Sequence, residues 1–215
     1  MNSILGHIKL LRPLNVFIAG MAMVLASAIL GVLTEVETVF RVVMVVLCYT
    51  GAANALNDVV DYKIDLINCP MRPIPSGYVS KKSALFISII LFSAGSWLCL
   101  ALSQDAKVIG IVIAMPLMVL YSKIFKGVPL IGNITVSFIL GLSFLFCGAA
   151  FNQMERMLIP TVLAFGLTLV RELVKDIADI NGDKSAGLNT LPITVGIDKT
   201  IQLTIFLIFC VGLGA

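Results

Sequence analysis

The chain has 215 residues, 59% of them hydrophobic and 13% charged, with a mean hydropathy of +1.05. Soluble domains carry roughly 25% charged residues, so the composition excludes a water-soluble globule and describes a chain best counted in membrane spans. The formal net charge of +3 decides little by itself; where that charge sits decides more.

Crossing the hydrocarbon core takes about 20 apolar residues in helical form. On that measure apolar runs predict seven spans, at about 13–33, 38–57, 83–104, 107–122, 130–151, 157–175 and 200 to the end. Ala26-Ser27-Ala28 imitates a signal-peptide cleavage site. The apolar run around it, Leu14 to Leu33, is too long for a signal peptide, and the first helix is read as retained. The fourth run is short, and Pro116 predicts a kink within it. The last run, from Ile201 to Ala215, has 15 residues. It is read as a partial seventh helix of a single domain, 1–215, that is incomplete at its C-terminus.

Charge tests this count. With the N-terminus in the cytoplasm, Lys9, Arg12, Lys63, Arg72, Lys81, Lys82, Lys123, Lys126, Arg171, Lys175, Lys184 and Lys199 share one side of the membrane. Only Arg41, Lys107 and Arg156 fall on the other. That bias is the positive-inside pattern, and a miscounted span would have scrambled it. The expected location is a multi-pass cell membrane protein whose polar mouth opens to the cytoplasm.

Two acidic clusters interrupt the oil. "NALNDVVDYKID" carries Asp58, Asp61 and Asp65, and "RELVKDIADINGD" carries Asp176, Asp179 and Asp183. Both read D-x-x-D-x-x-x-D, each member displaced by 118 residues, and Asn54 and Glu172 one turn earlier share the displacement. At about 100° per residue, positions i, i+3 and i+7 fall within roughly 60° of one helix face. Each cluster is therefore expected to form a carboxylate stripe running down one helix from the cytoplasmic side. Gly182 is expected to end the second helix, leaving Asp183 on a loop. Solvated loop ends would explain one such cluster, but two with identical spacing on one side point to function.

Gathered carboxylates raise one another's pKa unless cations compensate. Mg²⁺ suits such oxygen ligands and bridges them to phosphates. Asp58, Asp61, Asp65, Asp176, Asp179 and Asp183 are thus candidate metal ligands, with Asp58, Asp61, Asp176 and Asp179 the catalytic candidates. Arg72, Lys123, Lys126, Lys175, Asn54, Asn57 and Asn15 are the candidates for holding a diphosphate, and Arg12 opens the first span beside Asn15. Topology alone would also place these cations here; Arg72 stands out because Pro70, Pro73 and Pro75 stiffen its loop.

Other chemistries lack support in the sequence. The five cysteines are scattered without a CxxC pair and His7 is the sole histidine, against a thiolate or histidine metal site. There is no Gly-rich phosphate loop. The basic residues are spread over separate loops without interleaved aromatics, against nucleic-acid binding.

Taken together, "RPLN", "NDVVDYKID", "RPIPSG", "YSKIFKGVPLIGN" and "RELVKDIADINGDKSAGLNTLPITVG" resemble the UbiA superfamily of intramembrane prenyltransferases over nearly the whole chain. Within it, "RPIPSG", Gly132-Asn133 and "RELVKDIADINGD" look most like the archaeal digeranylgeranylglyceryl phosphate synthases. The resemblance implies an all-α bundle of nine transmembrane helices around a central cavity, of which this chain has room for six and part of a seventh. It also implies two aspartate motifs that bind Mg²⁺ and an isoprenyl diphosphate. The family's Tyr-Pro-x-x-Lys-Arg motif reads Tyr121-Ser122-Lys123-Ile124-Phe125-Lys126 here, so the phosphate lysine stays open between Lys123 and Lys126. The implied reaction moves a geranylgeranyl group from its diphosphate to a hydroxyl of geranylgeranylglyceryl phosphate, a step of archaeal ether-lipid synthesis. The alternatives are an aromatic acceptor, as in quinone biosynthesis, and, outside enzymes, a divalent-cation transporter. Oligomeric state is not legible.

Overall fold

A computed structural model describes residues 3–185 and 187–214; Ala215, where the seventh predicted run ends, lies outside them. The described residues are helical, without a strand. A short helix α1 (Ser3–Leu10) precedes the first span, α2 (Pro13–Leu30), and α3 (Val36–Val60) returns as the second. Next come α4 (Tyr62–Asn68) and α5 (Lys81–Cys99). The fourth span, Gln104–Lys123, is composite: α6 (Gln104–Lys107), a π-helical stretch Val108–Ala114, and α7 (Met115–Lys123). Then follow α8 (Ile131–Ala150) and α9 (Leu158–Ala178), the latter led in by a 3-10 turn at Met154–Met157. The chain closes with α10 (Ile180–Ser185), α11 (Leu191–Val195) and α12 (Ile197–Gly214).

Six of these helical stretches are long and apolar enough to cross a membrane, at the positions of the first six predicted runs. The kink expected at Pro116 takes the form of the π stretch before it, where Met115 N–H reaches back to the Gly110 carbonyl. Proline lacks an N–H and its ring strikes the carbonyl four residues back. A wider turn just ahead of the ring relieves both problems.

α3 and α8 lie at the centre: about half of each span is buried, against about a quarter for α2, α5 and α9. Close approach of α3 and α5 needs Gly95, where any Cβ would meet the Tyr49 ring at 2.7 Å. Small residues at such contacts let helices pack without a hydrophobic drive between them. The outward faces of the spans carry Phe17, Ile29, Phe86, Trp97 and Val162, all well exposed, as lipid contact requires.

The main apolar core joins Met23, Leu30, Val42, Tyr49, Phe146 and Met157. Apart from Tyr49, at the middle of α3, these come from the halves of the spans nearest the 31–35, 100–103 and 151–153 connections. Arg156 and Arg41 donate to the carbonyls of Leu30 (3.0 Å) and Ala101 (3.2 Å) at that end. The opposite end, where α3 runs into α4 and α9 into α10, holds polar side chains. Packing has filled one end of the bundle and left the other for chemistry.

Candidate active site

The first acidic motif is not the unbroken stripe expected from its spacing. α3 stops at Val60, Asp61 takes φ −74° and ψ −3°, and Asp65 sits on the separate helix α4. All three carboxylates are nonetheless buried: Asp58 is 2% exposed, Asp61 6% and Asp65 4%. Charges so placed persist only when paired, and here every one is. Arg12 Nη2 donates to Asp58 Oδ1 at 2.7 Å and Arg72 Nη1 to Asp65 Oδ2 at 2.6 Å. Arg72 also stands 3.7 Å from Asp58, and Lys126 Nζ donates to Asp61 Oδ2.

The local fold aims each cation. Arg12 occupies the left-handed region, φ 54° and ψ 71°, just before Pro13. A side-chain-bearing residue held there stores of order 1 kcal/mol of strain. Asn54 donates its amide to the Leu11 carbonyl at 2.9 Å, tying that turn to α3. Asn54, a diphosphate candidate by sequence, thus spends its donor on aiming Arg12. Arg72 is fixed by its loop: its carbonyl accepts from the Ser76 N–H at 3.0 Å and the Ser76 hydroxyl at 2.7 Å. Burial works against the Arg72 charge, yet bonding to Asp65 and the charges of Asp65 and Asp58 win, raising its pKa above the ordinary arginine value. It stays a cation at any working pH.

The second motif repeats the break. α9 ends at Ala178, Asp179 takes φ −91° and ψ 3°, and Asp183 lies inside α10 rather than on a loop. Gly182 does not stop the helix; the bend comes at the middle aspartate in both motifs, so the duplication reaches the backbone. Asp176 accepts from Asn133 Nδ2 at 2.9 Å. Asp179 is exposed and Asp183 half-buried. Burial raises the Asp183 pKa, and the Asp179 charge adds to the rise.

A cavity of about 90 Å³ lies beside this motif, lined among others by Tyr121, Lys126, Asn133, Glu172, Lys175 and Asp176, with Asp183 and Thr190 closing one side. Lys126 lines it while bonding Asp61, so one ammonium stands between the two motifs. Tyr121 lies within electrostatic reach of Asp61, Glu172 and Asp176. An apolar groove of about 390 Å³, walled by Val112, Pro116, Leu120, Ile134 and Phe138, contains no titratable side chain.

Among the described residues, no three of His, Cys, Asp and Glu stand together ready to hold a metal ion. The donors still fit a hard divalent cation. The two acid motifs lie at the same end of the bundle with Lys126 reaching from one to the other, and Asn57 Oδ1 is buried without a protein partner. Arg12, Arg72 and Lys126, which neutralise the first motif, keep side chains 34–37% exposed and so have room to swing toward an anion.

The remaining candidates fall outside this arrangement. Asn15 and Lys123 are exposed; of the two candidate lysines it is Lys126 that lines the cavity and bonds Asp61. Arg12, Tyr121 and Asn133 belong to the site although the acid spacing assigns them no part. Their sequence signal is the motifs that carry the family resemblance: Arg12 in "RPLN", and Tyr121 and Asn133 in "YSKIFKGVPLIGN".

Comparison with known proteins accords with this geometry. The model of the UbiA prenyltransferase family matches residues 13–215. Digeranylgeranylglyceryl phosphate synthase of Natronomonas pharaonis is 39% identical over 204 residues, covering 94% of this chain and 73% of that protein. The enzyme of the same name from Methanosphaera stadtmanae is 38% identical over 201 residues, with the same coverage. A solved structure of digeranylgeranylglyceryl phosphate synthase superposes with a TM-score of 0.85 at 30% identity, covering all of this chain and 76% of that one. A UbiA homologue from Archaeoglobus fulgidus bound to GPP and Mg²⁺ gives 0.77 at 15% identity over 97% of this chain and 76% of that one, a likeness of fold. The chain is a multi-pass membrane protein of the UbiA prenyltransferase family.

Proposed function

We propose that the chain transfers a geranylgeranyl group from geranylgeranyl diphosphate to a hydroxyl of geranylgeranylglyceryl phosphate, forming an ether and releasing diphosphate. The observation that carries this reading is Lys126. It joins a buried, cation-paired acid motif to a second acid motif across a polar cavity at one end of an apolar bundle. Identity near 38% to enzymes named for this product supports the choice of acceptor over an aromatic one.

In this reading Asp58, Asp61, Asp65, Asp176, Asp179 and Asp183 hold Mg²⁺, with Asn57 Oδ1 a further oxygen donor. When bound, Mg²⁺ supplies positive charge to the diphosphate oxygens as the allylic C–O bond breaks. Arg12, Arg72 and Lys126 turn from the carboxylates to the diphosphate and stabilise the negative charge that develops there. The electron pair of the C–O bond leaves with diphosphate. The acceptor oxygen attacks the allylic carbon and loses its proton, and the apolar walls keep water from competing. The distribution of lysine and arginine supports a cytoplasmic mouth, through which both anions enter.

The test is product formation by the purified chain in lipid nanodiscs with labelled geranylgeranyl diphosphate, Mg²⁺, and either geranylgeranylglyceryl phosphate or 4-hydroxybenzoate. The expected product is the labelled ether lipid alone. Labelled hydroxybenzoate, or activity retained after Asp58→Asn and Asp176→Asn together, would overturn the reading.

A further inference from the structure

Asp58, Asp61 and Asp65 are each held by a cation, whereas Asp176 is held by a neutral amide. Asn133 sits in the first turn of α8, 8% exposed, and reaches across 43 residues of sequence to Asp176 Oδ2. Its own place is fixed from two sides. The Ser137 hydroxyl donates to the Asn133 carbonyl at 2.6 Å. One residue earlier, Gly132 lies against the turn that carries Lys126: a Cβ at Gly132 would meet the Phe125 carbonyl oxygen at 2.9 Å and that of Lys126 at 3.4 Å. Both are backbone atoms, which cannot swing aside. The entry to α8 also carries Leu130 at φ 61°, a strained conformation that persists only where its surroundings hold it.

We infer that Asn133 is a positioning residue for Asp176, and that the Gly132–Asn133 pair sets the spacing between the two acid motifs. One side of this pair seats the turn whose lysine bonds Asp61; the other orients the carboxylate of Asp176. A lysine or arginine in place of Asn133 would orient Asp176 equally well but would neutralise it. An amide donor fixes Oδ2, leaves the carboxylate its full negative charge, and leaves Oδ1 for a metal. Partners that orient a ligand in this way are worth roughly 10–100-fold in metal affinity.

The inference rests on the reading of Asp176 as a Mg²⁺ ligand, and its test separates the two. Mg²⁺ binding to the full chain in nanodiscs is measured by calorimetry with geranylgeranyl thiodiphosphate present. Asn133→Ala is expected to weaken Mg²⁺ binding by about 10–100-fold, and raising Mg²⁺ is expected to recover more of its lost turnover than it recovers in Asp176→Asn. Asp176→Asn is expected to weaken binding at least as much, and the double variant no more than Asp176→Asn alone. Asn133→Leu, nearly isosteric and without a donor, carries the same expectation if the alanine variant does not fold. Parent-like binding in Asn133→Leu alongside a defect in Asp176→Asn would overturn the inference and leave the metal site standing. Parent-like binding in Asp176→Asn would remove the metal reading itself.

Discussion

The two acid motifs share one spacing and one backbone break, yet the fold treats them differently. The first is buried and locked: Asp58, Asp61 and Asp65 are all at most 6% exposed and each bonds a cation. The second is open: Asp179 is exposed, and Asp176 leans on an uncharged amide. Repeated sequence has therefore yielded one half whose carboxylates are ion-paired and another in which Asp176 is held by an amide. The first half belongs to the structure as much as to the chemistry. The second, in the proposed reading, serves the ligand.

Substitutions separate the halves. The largest effect is expected on turnover: Asp58→Asn and Asp176→Asn should each lower prenyl transfer by about 10³-fold, the scale of losing a main electrostatic contact in the transition state. Steady-state rates at saturating Mg²⁺ measure this. The contrast then appears in stability. Arg12→Ala removes the nearer of the two cations on buried Asp58 and leaves Arg72 at 3.7 Å. Stranding a buried charge costs about 3–5 kcal/mol when fully desolvated, and the remaining Arg72 with the partial exposure of the Arg12 side chain reduces this to about 2 kcal/mol. Asp176→Asn keeps an oxygen for Asn133 to donate to and should cost under about 1 kcal/mol. Thermal unfolding of the two variants in detergent compares them; equal losses would erase the distinction.

Acid gives a smaller, graded test. Because the Asp183 pKa is raised, protons compete with metal there above the ordinary aspartate value of about 3.9. Lowering pH protonates the carboxylate and removes a ligand. Activity at limiting Mg²⁺ should fall first, and saturating Mg²⁺ should move the fall to lower pH. Rate profiles at two Mg²⁺ concentrations show the shift. Lys123→Ala, at an exposed position away from the cavity, should change turnover by less than about twofold.

Much of this was legible in the sequence, for physical reasons that differ by level. The spans follow from run length, since lipid leaves a spanning helix no alternative hydrogen-bonding partner, and their count follows from the side taken by each lysine and arginine. The π stretch before Pro116 was legible only as a kink, because proline dictates that the helix must adjust but not how. The continuous stripes were wrong. Neither Asp61 nor Asp179 is flanked by glycine or proline, so no local punctuation marks the breaks. Gly182, which looked like punctuation, lies inside a helix. Long-range pairing was the least legible. Arg12 meets Asp58 across 46 residues and Lys126 meets Asp61 across 65, separations that leave no periodic trace.

The central proposition is that the locked and the open motif grip one Mg²⁺–diphosphate group between them. Electron paramagnetic resonance counts Mn²⁺ bound to the chain in the presence of geranylgeranyl thiodiphosphate, with Mn²⁺ in place of Mg²⁺. About two ions per chain are expected, as for paired-metal sites, with Asp58→Asn and Asp176→Asn each removing at least one. If either variant kept the full complement, the diphosphate would be held by one motif alone and the joint site would not exist.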